Sequence, residues 1–106
     1  MNTCIRTLSP QQARYLILHE PDHLLFDLRS RSEYNEMHLP GAVCTPAAGI
    51  AETVRRYHAE RSTPILLYCR VGQRSRTAAE ELTRLGYTRA YDIGGIVDWP
   101  YEVVYG

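Results

Sequence analysis

The chain contains no lysine; all 12 of its basic residues are arginine. Arginine's planar fork suits anion recognition. The same bias arises from codon habit in GC-rich genomes, and the habit weighs more. Asp and Glu also total 12, so the formal net charge is zero. An overall electrostatic signature for nucleic acid or an anionic membrane is therefore missing, although a count says nothing about local placement. No apolar run approaches the length of a membrane span. The opening MNTCIRTLSPQQ lacks the apolar core of a secretory leader. Cysteine is scarce: Cys4, Cys44 and Cys69 are odd in number, widely spaced, and form neither a C-x-x-C pair nor a zinc spacing. These absences predict free thiols in a reducing cytoplasm and no metal site.

What is present is ordinary globular material, 44% hydrophobic and 23% charged. A length of 106 residues predicts one domain over 1–106 with a single core. Short apolar runs alternate with helix-like stretches. CIRTL (4–8) reads as a first edge strand. Ser9, Pro10 and Gln12 form a capping box with proline at the first helical position, and that helix ends before Pro21. HLLFD reads as a buried strand closing at Asp27, and Ser30 caps a short helical turn. A turn at LPG leads to a short strand over 42–44. AAGIAETVRRYHAE is helical, with Ile50, Val54 and Tyr57 on one stripe. TPILLYC is the strongest strand. SRTAAEELTRLGY is the strongest helix, starting at Ser75, with Ala78, Ala79, Leu82 and Leu85 on one face and Gly86 at its end. RAYDIGG is a further strand, and the helical part of the tail is cut short by Pro100. YEVVYG is β-prone and either finishes the sheet or pairs with another chain. The alternation predicts a three-layer α/β/α fold around a central, mainly parallel sheet. In such sheets the site lies beyond the carboxyl ends of the strands. Asp27 and Cys69 both sit at such ends.

Cys69 closes a strand, and Arg70, Val71, Gly72, Gln73 and Arg74 wrap tightly before Ser75. Gly72 permits backbone angles that other residues resist. Successive amides in such a loop can form an anion nest, and a helix start adds unpaired N–H groups and the positive end of its dipole. A sulfur at that centre is favoured as the thiolate, the nucleophilic form. The competing reading makes Cys69 a small buried hydrophobe ending a strand.

CRVGQRS resembles the active-site loop of rhodanese-type sulfurtransferases, in the form C-R-x-G-x-R. LLFDLRSRSEYNEMHLPGAV is similar to that family's first signature, with D-x-R and H-[IL]-P-G-A, and YDIGGIVDW to its closing strand. The resemblance runs in order from Leu24 to Trp99. It implies a rhodanese-like fold and a Cys69 nucleophile that takes the outer sulfur of thiosulfate or another persulfide donor. The persulfide then passes that sulfur to cyanide, a thiol or a protein. It implies no metal or organic cofactor, with Arg70 and Arg74 binding the anionic donor and the loop amides holding the persulfide. Asp27 and Arg29 match the D-x-R positions and brace the strand end structurally, with Glu33 as the expected partner of Arg29. His38 matches the histidine before the Pro-Gly turn and is read as structural, as are Gly94, Gly95 and Trp99. His19, His23 and His58 are read as solvated.

Three rivals remain. A phosphatase or arsenate reductase is the first, because dual-specificity cell-cycle phosphatases share this fold, but their pattern places an arginine where this chain has Ser75. A non-catalytic interaction module of the same fold usually lacks the cysteine. Redox work with Cys44 or Cys4 as resolving thiol is the third, against a buried and inert Cys44.

Overall fold

A computed structural model of the chain describes residues 6–106. The elements are β1 (Arg6–Thr7), α1 (Pro10–His19), β2 (Leu24–Asp27), α2 (Arg31–Glu36), β3 (Met37–His38), β4 (Val43–Cys44), α3 (Ile50–Arg56), β5 (Ile65–Cys69), α4 (Gln73–Arg84), β6 (Ala90–Gly95) and β7 (Val104–Tyr105). Cys4 and the start of the expected first strand lie outside the described residues. The main sheet has the order β1-β6-β5-β2-β4, and every pairing in it is parallel.

Both faces of this sheet are covered, which is why its central strands are apolar without a break. All five residues of β5 are buried. Their side chains alternate with the two-residue period of a strand. Ile65, Leu67 and Cys69 face α3 and α4, packing with Ile50, Val54, Ala78, Ala79 and Leu82. Leu66 and Tyr68 face the opposite layer, where α1 lays down Ala13 and Leu16 beside Leu25, Ile93 and Ile96. Each fully buried leucine or isoleucine contributes roughly 1.5–3 kcal/mol.

Local chemistry places the helices. Ser9 accepts from the Gln12 amide and Gln12 returns a bond to the Ser9 amide, so α1 starts where its capping box predicts. Ser30 and Glu33 make a second reciprocal box for α2. Four expectations need correction. Helix α4 begins at Gln73, not Ser75, because Gly72 takes its N-cap in a left-handed conformation. Leu85 is the C-cap and is 44% exposed, so the buried stripe of α4 stops at Leu82. Tyr57 is also half out of its stripe, 45% exposed, with its ring edge against Phe26. The tail does not finish the main sheet: β7 pairs antiparallel with β3 as a separate ribbon, Met37 opposite Tyr105. No helix among the described residues is long and apolar enough to cross a membrane.

Candidate active site

Parallel pairing brings Asp27, Cys44 and Cys69 to one end of the sheet. Cys69 is 1% exposed, and its Sγ points toward the first turn of α4. The Gly72 amide donates to Sγ at 3.0 Å. Gly72 reaches this position at φ +98°, which a residue with a Cβ resists. Gln73, Arg74 and Ser75 follow as the first turn of α4, whose amides have no partner within the helix. Burial pushes the Cys69 thiol up. The Ser75 hydroxyl and the amides of Ser75, Gly72 and Arg74 together outweigh it and leave the thiol below its ordinary value.

Ser75 is fully buried and lies 3.5 Å from Sγ through its Oγ. That hydroxyl donates to Asp92 Oδ1 at 2.7 Å. Sequence reasoning missed Asp92. A polar residue on the inward face of a buried strand, between Tyr91 and Ile93, was the available signal. Gly95 also does more than shape a turn. A Cβ there would run into the Arg70 carbonyl oxygen and sit 2.7 Å from Val71 Cα. The loop therefore packs backbone to backbone on the end of β6, which sets its height over the sheet.

The two loop arginines open into different clefts. Arg70 is exposed and lines a cleft of about 340 Å³ with Met37, Ile96, Val97 and Tyr105. Arg74 lines another of about 440 Å³ with Leu28, Arg31 and Cys44, and its guanidinium reaches the Leu28 carbonyl at 3.4 Å. Val71 is 64% exposed between them. Gln73 is exposed and borders a third cleft with Thr77 and Glu81.

Asp27 and Arg29 are both buried and pair with each other at 2.9 Å, so Asp27, and not Glu33, is the partner of Arg29. The Tyr68 hydroxyl donates to Asp27 at 2.7 Å and accepts from the Leu39 amide at 3.1 Å. Burial and the bond to Asp27 drive the Tyr68 phenol far up, so it stays protonated as a donor. This network lies on the Tyr68 face of the sheet, away from Sγ. His38 stacks on Tyr34 and bonds to its carbonyl at 2.9 Å. Trp99 packs against the α1-side core and donates to the Glu102 carbonyl at 3.2 Å. Cys44 is a half-buried free thiol, 3.7 Å from the Arg29 carbonyl. Among the described residues no cluster of His, Cys, Asp and Glu could hold a metal ion.

Chemically, this is an amide-lined cradle for one anionic sulfur at a helix start, with guanidinium groups on either flank. A family description, Rhodanese-like domain, matches residues 9–101. The chain is 33% identical over 99 residues to thiosulfate sulfurtransferase GlpE of Tolumonas auensis, covering 92% of this chain and 91% of that protein. It is 31% identical over 103 residues to the adenylyltransferase and sulfurtransferase UBA4 of Candida albicans, covering 91% of this chain. There the match spans only about a quarter of the relative's length. Among solved structures, a rhodanese with anions from E. coli superposes with a TM-score of 0.70 at 25% identity, covering 79% of this chain and 99% of that one. Fold, loop and sequence agree, and the chain belongs to the rhodanese-like domain family.

Proposed function

We propose that the chain is a sulfurtransferase that carries a sulfane sulfur on Cys69. The observation that supports this most directly is the Gly72 amide aimed at Sγ at 3.0 Å, at the start of α4. Amides fixed in place stabilise a sulfur anion without reorganising when it forms. The Cys69 thiolate attacks the outer sulfur of thiosulfate or another persulfide donor. A bond forms between Sγ and that sulfur, the donor's S–S bond breaks, and its electron pair leaves with sulfite from thiosulfate or with the thiolate from a persulfide. The product is the Cys69 persulfide anion, held by the same amides. A thiophilic acceptor (cyanide in an assay, a thiol or a protein thiol in the cell) then removes the outer sulfur and restores the thiolate. Two half-reactions through a covalent intermediate give ping-pong kinetics. Arg70 and Arg74 supply positive charge for an anionic donor; neither is in an ion pair among the described residues. Asp27 and Arg29 brace the strand end from the other face. The relatives named sulfurtransferases point the same way.

The test is intact-protein mass after brief exposure to thiosulfate and again after cyanide. We expect wild type to gain one sulfur atom and lose it to cyanide, and Cys69→Ser to gain none. A reduced, alkylatable Cys69 that gains no sulfur from thiosulfate or from a small persulfide would rule the reading out.

A further inference from the structure

Asp92 is 7% exposed, and no arginine or histidine among the described residues lies within ion-pair distance of it. Its Oδ1 accepts from Ser75 Oγ at 2.7 Å and from the Gly94 amide at 2.9 Å. Ser75 Oγ in turn lies 3.5 Å from Cys69 Sγ. A serine hydroxyl carries a single proton. It cannot be given to a carboxylate and to a thiolate at the same time. When the thiol is protonated the chain is complete: S–H donates to Oγ, and O–H donates to Oδ1. When the thiolate forms, it and the Asp92 carboxylate both face the single Ser75 proton, and the carboxylate has no ion-pair partner among the described residues.

We propose that Asp92 is the proton acceptor for Cys69, with Ser75 as the bridge. The Sγ–H bond breaks and its proton bonds to Ser75 Oγ, while the original Ser75 proton moves to Asp92 Oδ1. Ser75 keeps one proton throughout and ends by donating it to the thiolate. The charge moves from carboxylate to sulfur, the total is unchanged, and no oxidant or reductant takes part. Among the described residues the surroundings offer no competing base. On this face β5 contributes Cys69, α4 contributes Ser75, and the β1 residue in register with Asp92 is Thr7. Arg74 turns to the Leu28 carbonyl, Arg70 and Arg76 are exposed, and Arg29 is tied to Asp27. Asp92 is thus a positioning residue that acts through Ser75. The inference rests on Cys69 being the nucleophile.

The experiment follows alkylation of Cys69 by iodoacetamide, read on the Cys69 peptide by mass, from mildly acid to mildly alkaline pH. Wild type is compared with Asp92→Asn, which keeps the shape and loses the proton site, and with Ser75→Ala, which removes the bridge. Groups that share a proton titrate as a pair, so the wild-type rate should change by less than about twofold per pH unit on the acid side. An isolated thiol loses its thiolate about tenfold per unit below its pKa, and both variants should follow that line. A wild-type profile that falls tenfold per unit, parallel to Asp92→Asn, overturns the relay. Persulfide formation from thiosulfate is scored separately. Persulfide with parallel profiles sinks the relay alone; distinct slopes without persulfide sink the sulfurtransferase reading alone.

Discussion

Gly95 and Tyr68 show how single residues hold the thiol in place from opposite sides of the sheet. A methyl group at Gly95 meets main chain, which cannot swing away as a side chain can. We expect Gly95→Ala to lift the loop off β6 and slow Cys69 alkylation at neutral pH by roughly tenfold or more, with the far-ultraviolet circular dichroism retained. Tyr68→Phe leaves a buried carboxylate short of one donor, and a loss of about 1–3 kcal/mol is expected by urea unfolding. Asp27→Ala is worse, since it strands a buried guanidinium; about 3–5 kcal/mol is expected. Cysteine, glycine and two arginines together marked the loop at this scale but left a buried hydrophobe an equal reading; the resemblance of CRVGQRS to a known active-site loop decided between them. The Asp27–Arg29 pair was half legible: the residues stood out, but Glu33 read as the partner because helix spacing is visible and burial is not. Asp92 stood out only as a charge inside a buried strand, and its role could not be read. Its meaning depends on Ser75, and only the β5–α4–β6 crossover sets the two side by side.

At the scale of elements, the Ser9–Gln12 capping box was readable from spacing alone, because it is closed within four consecutive residues; at α2 Ser30 read as a cap, while Glu33 as its reciprocal partner went unread. The start of α4 was not readable, since Gly72 caps it by backbone angle rather than by a side chain. The β3–β7 ribbon was not legible either; a two-residue pairing across the chain leaves no periodic trace. The element ends also carry a pH dependence. The Arg89 fork holds the Glu20 carboxyl below its usual range, and the Ser30 amide and hydroxyl do the same for Glu33. A lowered folded-state pKa gives stability that is present above the unfolded value and lost as pH falls through the folded one. Melting temperature should therefore decline as pH drops through the carboxylate range. The Glu20 share should shrink in salt, as exposed ion pairs are screened. Glu20→Gln flattening that decline is the measurement to make.

For the whole molecule, β5 is the shared floor of both core layers, buried on each face. A layer cannot melt without exposing the strand the other rests on. We propose that the chain unfolds as one unit. Trp99 fluorescence reports the α1 side, and Cys69 labelling reports the α4 side. Their denaturant midpoints should coincide; separated midpoints would overturn the proposal. The layered architecture was legible in the alternation of strands and helices. Strand order was not, because placing β1 beside β6 joins residues from opposite ends of the chain.

Cys69, Ser75 and Asp92 all come from the stretch β5–α4–β6, residues 65–95. The thiol, its Gly72 donor and the Ser75–Asp92 pair therefore lie within one β–α–β unit, whereas the outer strand β1 must find a partner near the far terminus. Short loops close before long ones. The sulfur cradle should assemble early in refolding, before the sheet is complete. In a pulse-labelling time course, Cys69 should become shielded ahead of the amides that tie β1 to β6.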